Sequence, residues 1–95
     1  MNEQLNEILI NGEFELSKHC QEEAIRRSIP IEFIKNILLS PQQIIETSSD
    51  RHIYQSKVAF DNSKEYLVRL IVEDTATIKR VITVYRTSKI QKYWR

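Results

Sequence analysis

Ninety-five residues, 41% hydrophobic and 28% charged, fit one globular domain over 1–95 and argue against general disorder. The longest apolar runs are three residues, as in Ile8-Leu9-Ile10 and Leu70-Ile71-Val72. The chain is therefore expected neither to span a membrane, which takes about 20 apolar residues, nor to carry a signal-peptide core of about 7–15. One cysteine, Cys20, forms no intrachain disulfide and no zinc pair, and one glycine, Gly12, makes neither a P-loop nor a dinucleotide fingerprint. No metal and no cofactor is expected, and the expected compartment is the reducing cytoplasm.

In chain order, Leu5, Ile8 and Leu9 have i, i+3, i+4 spacing, so residues 2–10 read as a short amphipathic helix within an N-terminal extension over 1–12. The alternative is a hairpin, because Asn11-Gly12 suits a type I′ turn and Phe14-Glu15-Leu16 alternates. The helix is the preferred reading. Ser17 caps a second helix over 18–27 whose apolar side carries Cys20 and Ala24. Pro30 suits the first turn of a third helix, where Phe33, Ile34, Ile37 and Leu38 form a stripe, and Ser40-Pro41 stops it. That stripe predicts burial against Val68, Leu70 and Val72.

After Pro41 the period changes to two. Residues 43–47, 51–60, 65–73 and 77–86 read as strands, separated by Ser48-Ser49-Asp50, by Asp61-Asn62-Ser63-Lys64 and by Asp74-Thr75. Residues 88–94 suit a last helical turn. The predicted fold class is α+β: two or three short helices followed by a four- to five-stranded, mainly antiparallel sheet.

The net charge of +1 conceals an asymmetry. Residues 1–50 hold four Lys/Arg against nine Asp/Glu, whereas residues 51–95 hold ten against four. From 79 to 95 there are six cations and no acid. Such a distribution points to an anionic partner, RNA or an acidic protein segment; a solvated basic sheet edge is the plainer alternative.

Alternation in the fourth strand places Leu67, Arg69 and Ile71 on one face and Tyr66, Val68, Leu70 and Val72 on the other. In the last strand Val81, Thr83, Tyr85 and Thr87 share a face. The chemistry that suits these groups is phosphoryl transfer at an RNA backbone. Arg69 or Arg51 would hold a phosphate bidentately, and His19 or His52 would move protons near neutral pH. Tyr54, Tyr85 and Trp94 would stack on unpaired bases. For Arg69 the alternative is an ion pair with Glu46 or Glu65 across the sheet.

The run Leu16-Ser-Lys-His19-Cys-Gln-Glu-Glu-Ala24-Ile-Arg-Arg27-Ser-Ile29-Pro, followed far downstream by Val81-Ile-Thr83-Val-Tyr85-Arg-Thr87-Ser, resembles a bacterial family of small uncharacterised domains grouped with the RelE/BrnT-like toxins of toxin–antitoxin systems, over about residues 13–95. The resemblance implies a compact sheet packed on two N-terminal helices, metal-independent RNA cleavage, and a cognate antitoxin. It singles out His19, Arg27 and the Thr83, Tyr85 and Thr87 set; a glycine often stands where this chain has Ser28.

The expected function is a toxin-like endoribonuclease acting by 2′-hydroxyl attack on RNA, including mRNA on the ribosome. His19, Arg69, Tyr85 and Thr83 are its expected catalytic residues. Arg51, Tyr54, Arg86, Thr87, Lys89 and Lys92 are its expected RNA-binding residues, and an antitoxin with an acidic segment is its expected protein partner. The alternative is a binding module without catalysis, engaging RNA or an acidic protein segment through its basic sheet edge.

Overall fold

The computed structural model describes residues 7–74 and 77–95. A six-stranded mixed sheet runs in the order β1-β2-β6-β5-β4-β3. Its strands are β1 (Ile8–Ile10), β2 (Phe14–Leu16), β3 (Gln43–Ser48), β4 (Arg51–Ala59), β5 (Glu65–Glu73) and β6 (Lys79–Thr87). Two nine-residue helices, α1 (Lys18–Arg26) and α2 (Ile31–Leu39), separate β2 from β3, and a short α3 (Ile90–Tyr93) ends the chain. The α+β class is as expected, but the sheet holds more strands than the sequence reading gave it. No helix among the described residues is long and apolar enough to cross a membrane.

The added strands come from the N-terminal hairpin. The helix expected over 2–10 is not formed at Ile8–Ile10, which pair antiparallel with Phe14–Leu16; residues 2–6 lie outside the described residues. Asn11 and Gly12 both take left-handed backbone, φ 57° and 67°, and Glu13 N–H closes the turn on the Ile10 carbonyl at 3.0 Å. Positive φ at two successive residues matches the strand twist, so this turn chemistry overrides the weak helical spacing before it. β2 then adds to β6 in parallel, pairing Leu16 with Val81, so the two ends of the chain share one sheet.

Ser17 carries the chain from β2 into α1. Its hydroxyl accepts the Cys20 N–H at 3.0 Å and donates to the Ile82 carbonyl at 2.8 Å, so one side chain caps the helix and ties it to β6. α1 ends in a Schellman pair: Ile29 N–H reaches the Ala24 carbonyl at 2.8 Å and Ser28 N–H the Ile25 carbonyl at 3.1 Å. That geometry puts Ser28 at φ 55°, a left-handed position that a glycine occupies without steric cost. Ser28→Gly is expected to stabilise the fold by about 0.5–1 kcal/mol, read as a higher denaturation midpoint at unchanged slope. A lower midpoint would contradict this account of the turn.

Both long helices cover the same face. Cys20 and Ala24 of α1 and Ile34, Ile37 and Leu38 of α2 are buried in one core with Val68, Leu70, Val72, Val81 and Val84, as the apolar stripe predicted. Phe33 is only half-buried at its edge, meeting Phe60 edge-on at 5.1 Å. Burial pushes the Cys20 thiol up to about 12, so it remains a protonated apolar side chain and no nucleophile.

Candidate functional site

The face away from α1 and α2 carries the alternate residues of the central strands. Register aligns Gln43 with Gln55, Gln55 with Arg69, and Arg69 with Tyr85, so one polar rung crosses β3, β4, β5 and β6. Arg69 Nε donates to Gln55 Oε1 at 2.8 Å, and its Nη1 donates to the Tyr85 hydroxyl at 2.6 Å. Gln55 Nε2 donates onward to Gln43 Oε1 at 2.7 Å and to the Tyr93 carbonyl at 3.2 Å. Gln55 is fully buried, and both ends of its amide are satisfied.

The α3 segment lies over the same rung. The Tyr93 ring centroid stands 4.2 Å from the guanidinium carbon of Arg69. The Arg95 carbonyl accepts from Gln43 Nε2 at 2.7 Å, and Trp94 packs under Lys57 Nζ at 4.0 Å. Stacking and fixed acceptors hold the planar guanidinium in one orientation.

Arg69 is only 7% exposed, yet among the described residues no carboxylate lies within ion-pair distance of it. Neither expected partner pairs with it: Glu46 faces His52 at 3.7 Å, and Glu65 lies exposed at the strand end. Nη2 of Arg69 makes no hydrogen bond within the described residues. Every fully buried side-chain nitrogen and oxygen there has a partner, so Nη2 is solvent-touching. Among the described residues no acid offsets this nearly buried guanidinium. Its solvent-touching Nη2, beside a tyrosine hydroxyl, is a ready anion donor.

The other expected residues divide between the two faces. Thr83, Tyr85 and Thr87 share the Arg69 face, Thr83 beside Ile71 and Thr87 beside Leu67. Arg51 is on that face too, but its guanidinium is held by Glu73 at 3.3 Å. Arg51 is exposed and Glu73 only half-buried, so this pair is weak and exchangeable. Lys92 on α3 stands with its Nζ 5.4 Å from the Tyr93 ring, Lys89 precedes the helix, and both are exposed.

Four expected site residues lie on the helix side of the sheet, away from Arg69, and their places need correction. His19 is exposed on α1, in the helical layer, whereas Arg69 points to the opposite side of the sheet; the two do not converge on one phosphate. Tyr54 is no free stacking platform. It pairs beside Leu70, faces the helices and meets Phe14 edge-on at 5.8 Å, and its burial raises its hydroxyl above the usual tyrosine range. Arg86 also faces the helix side, opposite Val68, with its guanidinium carbon 4.2 Å from the Phe60 ring and 4.6 Å from the Tyr66 ring. His52 likewise faces the helix side, beside Val72.

Sequence reasoning missed Gln43, Gln55 and Tyr93. The parity of Gln55 with Arg51 was available, but glutamine carries no charge signal and its place beside Arg69 depends on register. Among the described residues no group of three His, Cys, Asp or Glu side chains could hold a metal ion.

No curated protein and no solved structure matches the chain. A family model described as "Domain of unknown function (DUF4258)" matches residues 16–86, which include Gln43, Gln55, Arg69 and Tyr85 and stop before α3. With that span matched, the chain belongs to the DUF4258 family.

Proposed function

We propose that the protein is an RNA-directed, toxin-like domain that seats a backbone phosphate on Arg69 and Tyr85 and cleaves it by attack of the adjacent 2′-hydroxyl. The observation that carries this reading is the nearly buried Arg69, which has no acid partner among the described residues and whose Nη2 touches solvent. Such a cation is costly unless an external anion completes it. RNA supplies that anion on every nucleotide. The Tyr85 hydroxyl accepts from Arg69, so its own proton is free to donate to the departing 5′-oxygen as the P–O5′ bond breaks, while the 2′-hydroxyl gives its proton to water as the new O–P bond forms. Arg69 stabilises the charge that develops on the pentacoordinate phosphorus, Thr83 and Thr87 orient the strand along β6, and His19 has no part. An antitoxin would neutralise the domain by offering an acidic segment to the same cations.

A second reading, an RNA-binding module without catalysis, is favoured by one observation: the rung of Gln43, Gln55, Arg69 and Tyr85 contains neither imidazole nor carboxylate. Both readings share the phosphate seat, and binding tests it. A short single-stranded RNA carrying 2′-methoxy groups cannot cleave itself, so its affinity can be followed as salt is raised. The expected slope of log K against log salt is about −0.7 for each phosphate neutralised. Replacing Lys89 and Lys92 together by Ala should flatten it by about one to two such contacts. No measurable binding by the wild-type protein at low salt would overturn both readings.

A further inference from the structure

Beyond the Arg69 rung, the far end of β6 borders a cavity of about 450 Å³ lined by Arg26, Arg27 and Arg86 together with Ser28, Thr87 and Ser88. The cavity owes its shape to two features of the fold. The left-handed turn at Ser28 folds the end of α1 back over the sheet, and β6 runs out beside it. Tyr66 of β5 forms part of the wall.

Arg86 is the organised member. Its guanidinium sits within 4.2 Å of the Phe60 ring and 4.6 Å of the Tyr66 ring, which fixes its plane without using its N–H groups. Among the described residues it makes no ion pair and no side-chain hydrogen bond. Since every fully buried polar side-chain atom there is partnered, its donors reach solvent. Arg26 and Arg27 are anchored on Glu23: Arg26 by two bonds of 3.1 and 2.8 Å, Arg27 through Nε alone at 2.8 Å, which leaves the terminal nitrogens of Arg27 unused. These bonds hold the Glu23 carboxylate down at about 2, so it remains charged and offsets one of the three arginines. Asp61 stands beyond, in the adjoining hollow with Phe60 and Arg86. The wall retains a positive excess, two pre-oriented guanidinium groups and the hydroxyl-bearing residues Ser28 and Ser88. This is the donor set of a phosphate site rather than of a planar carboxylate or an apolar ligand.

We infer that this cavity is a second phosphate subsite, taking a phosphate further along the same RNA strand that lies on Arg69 and Tyr85. The inference rests on the RNA reading above. Thr87 makes the link: it shares the open face with Tyr85, about 7 Å further along β6 at the usual strand rise, and it borders the cavity. A strand following β6 past Tyr85 passes Thr87, rounds the end of β6 and reaches Arg86 on the helix side.

The test uses the 2′-methoxy RNA across a salt series with wild-type protein, Arg86→Gln and Arg27→Gln. It is paired with inorganic phosphate titrated into the wild-type protein and followed by backbone amide resonances. Arg86→Gln is expected to flatten the salt slope by about 0.7, and Arg27→Gln to flatten it in the same direction. Arg27 is not a core residue, so its variant serves if loss of the Arg86 stack disturbs folding. Phosphate is expected to shift the amides of Ser28, Thr87 and Ser88. RNA binding with an unchanged slope in both variants would overturn the subsite and leave the Arg69 reading standing. Absence of RNA binding by wild type would overturn the subsite together with that reading. In that case phosphate shifts confined to Ser28, Thr87 and Ser88 would mark a simple anion site.

Discussion

Arg69→Lys is expected to slow RNA cleavage by about 10²–10³-fold, the usual cost of losing one pre-organised donor to a developing oxyanion. Lysine keeps the positive charge but not the planar fork. It cannot reproduce the bonds to Gln55 Oε1 and the Tyr85 hydroxyl and still present an N–H edge to a phosphate. The fold should survive, because an ammonium can still donate to the buried Gln55 oxygen. Single-turnover rates measured beside thermal unfolding separate the two effects. A folded Arg69→Lys protein that cleaves within a few-fold of wild type would remove the guanidinium from the reaction.

One residue along the same strand, the expected effect is on stability instead. Leu70 is fully buried under the helices, in one core with Ile34, Ile37 and Leu38. Leu70→Ala should cost about 2–5 kcal/mol, through lost transfer free energy and the cavity left behind. That is a large share of a domain stability of about 5–15 kcal/mol. The check is the denaturation midpoint at unchanged slope. A loss below about 1 kcal/mol would mean that α2 does not close over this part of β5. The contrast between Leu70 and Arg69 follows from strand alternation alone: adjacent residues point to opposite faces, one into the core and one toward the candidate site.

That alternation is also why much of the fold is legible in the sequence. Residues 65–73 read as a strand from period-two spacing, and β5 spans those same residues. The Ser17 cap and the Ser40-Pro41 stop bound α1 and α2 closely, because each rests on local backbone chemistry. The hairpin was obscured for a physical reason. A three-residue strand shows too little alternation to outweigh a helical spacing, and Asn11-Gly12 was the stronger signal. The parallel pairing of Phe14–Leu16 with Lys79–Val81 joins segments about 65 residues apart, and no local pattern encodes it.

The site was partly legible for the same reason. Arg69 stood out as a cation in an apolar strand, and Tyr85, Thr83 and Thr87 shared a parity. Their meeting with Gln43 and Gln55 depends on the register of three strand pairs, which turn lengths and bulges set. One such bulge lies between Ile71 and Val72, and it shifts the parity of β6 so that Val81 joins the core while Thr83 faces the rung. His19 was singled out for its place at a strand-to-helix junction. Alternation in β5 already turns Arg69 away from the face that the helices cover, so His19 on α1 and Arg69 belong to opposite sides of the sheet.

The central claim is that Arg69 and Tyr85 seat a phosphate for attack by its own 2′-hydroxyl. It is tested most directly by incubating the protein with single-stranded and ribosome-bound RNA in EDTA and identifying the new 3′ ends. The expected result is metal-independent cleavage leaving 2′,3′-cyclic phosphates, reduced about 10²–10⁴-fold in Tyr85→Phe, the range of a proton-transfer group. No cleavage of either RNA by folded wild-type protein, or cleavage that Tyr85→Phe leaves unchanged, would contradict it.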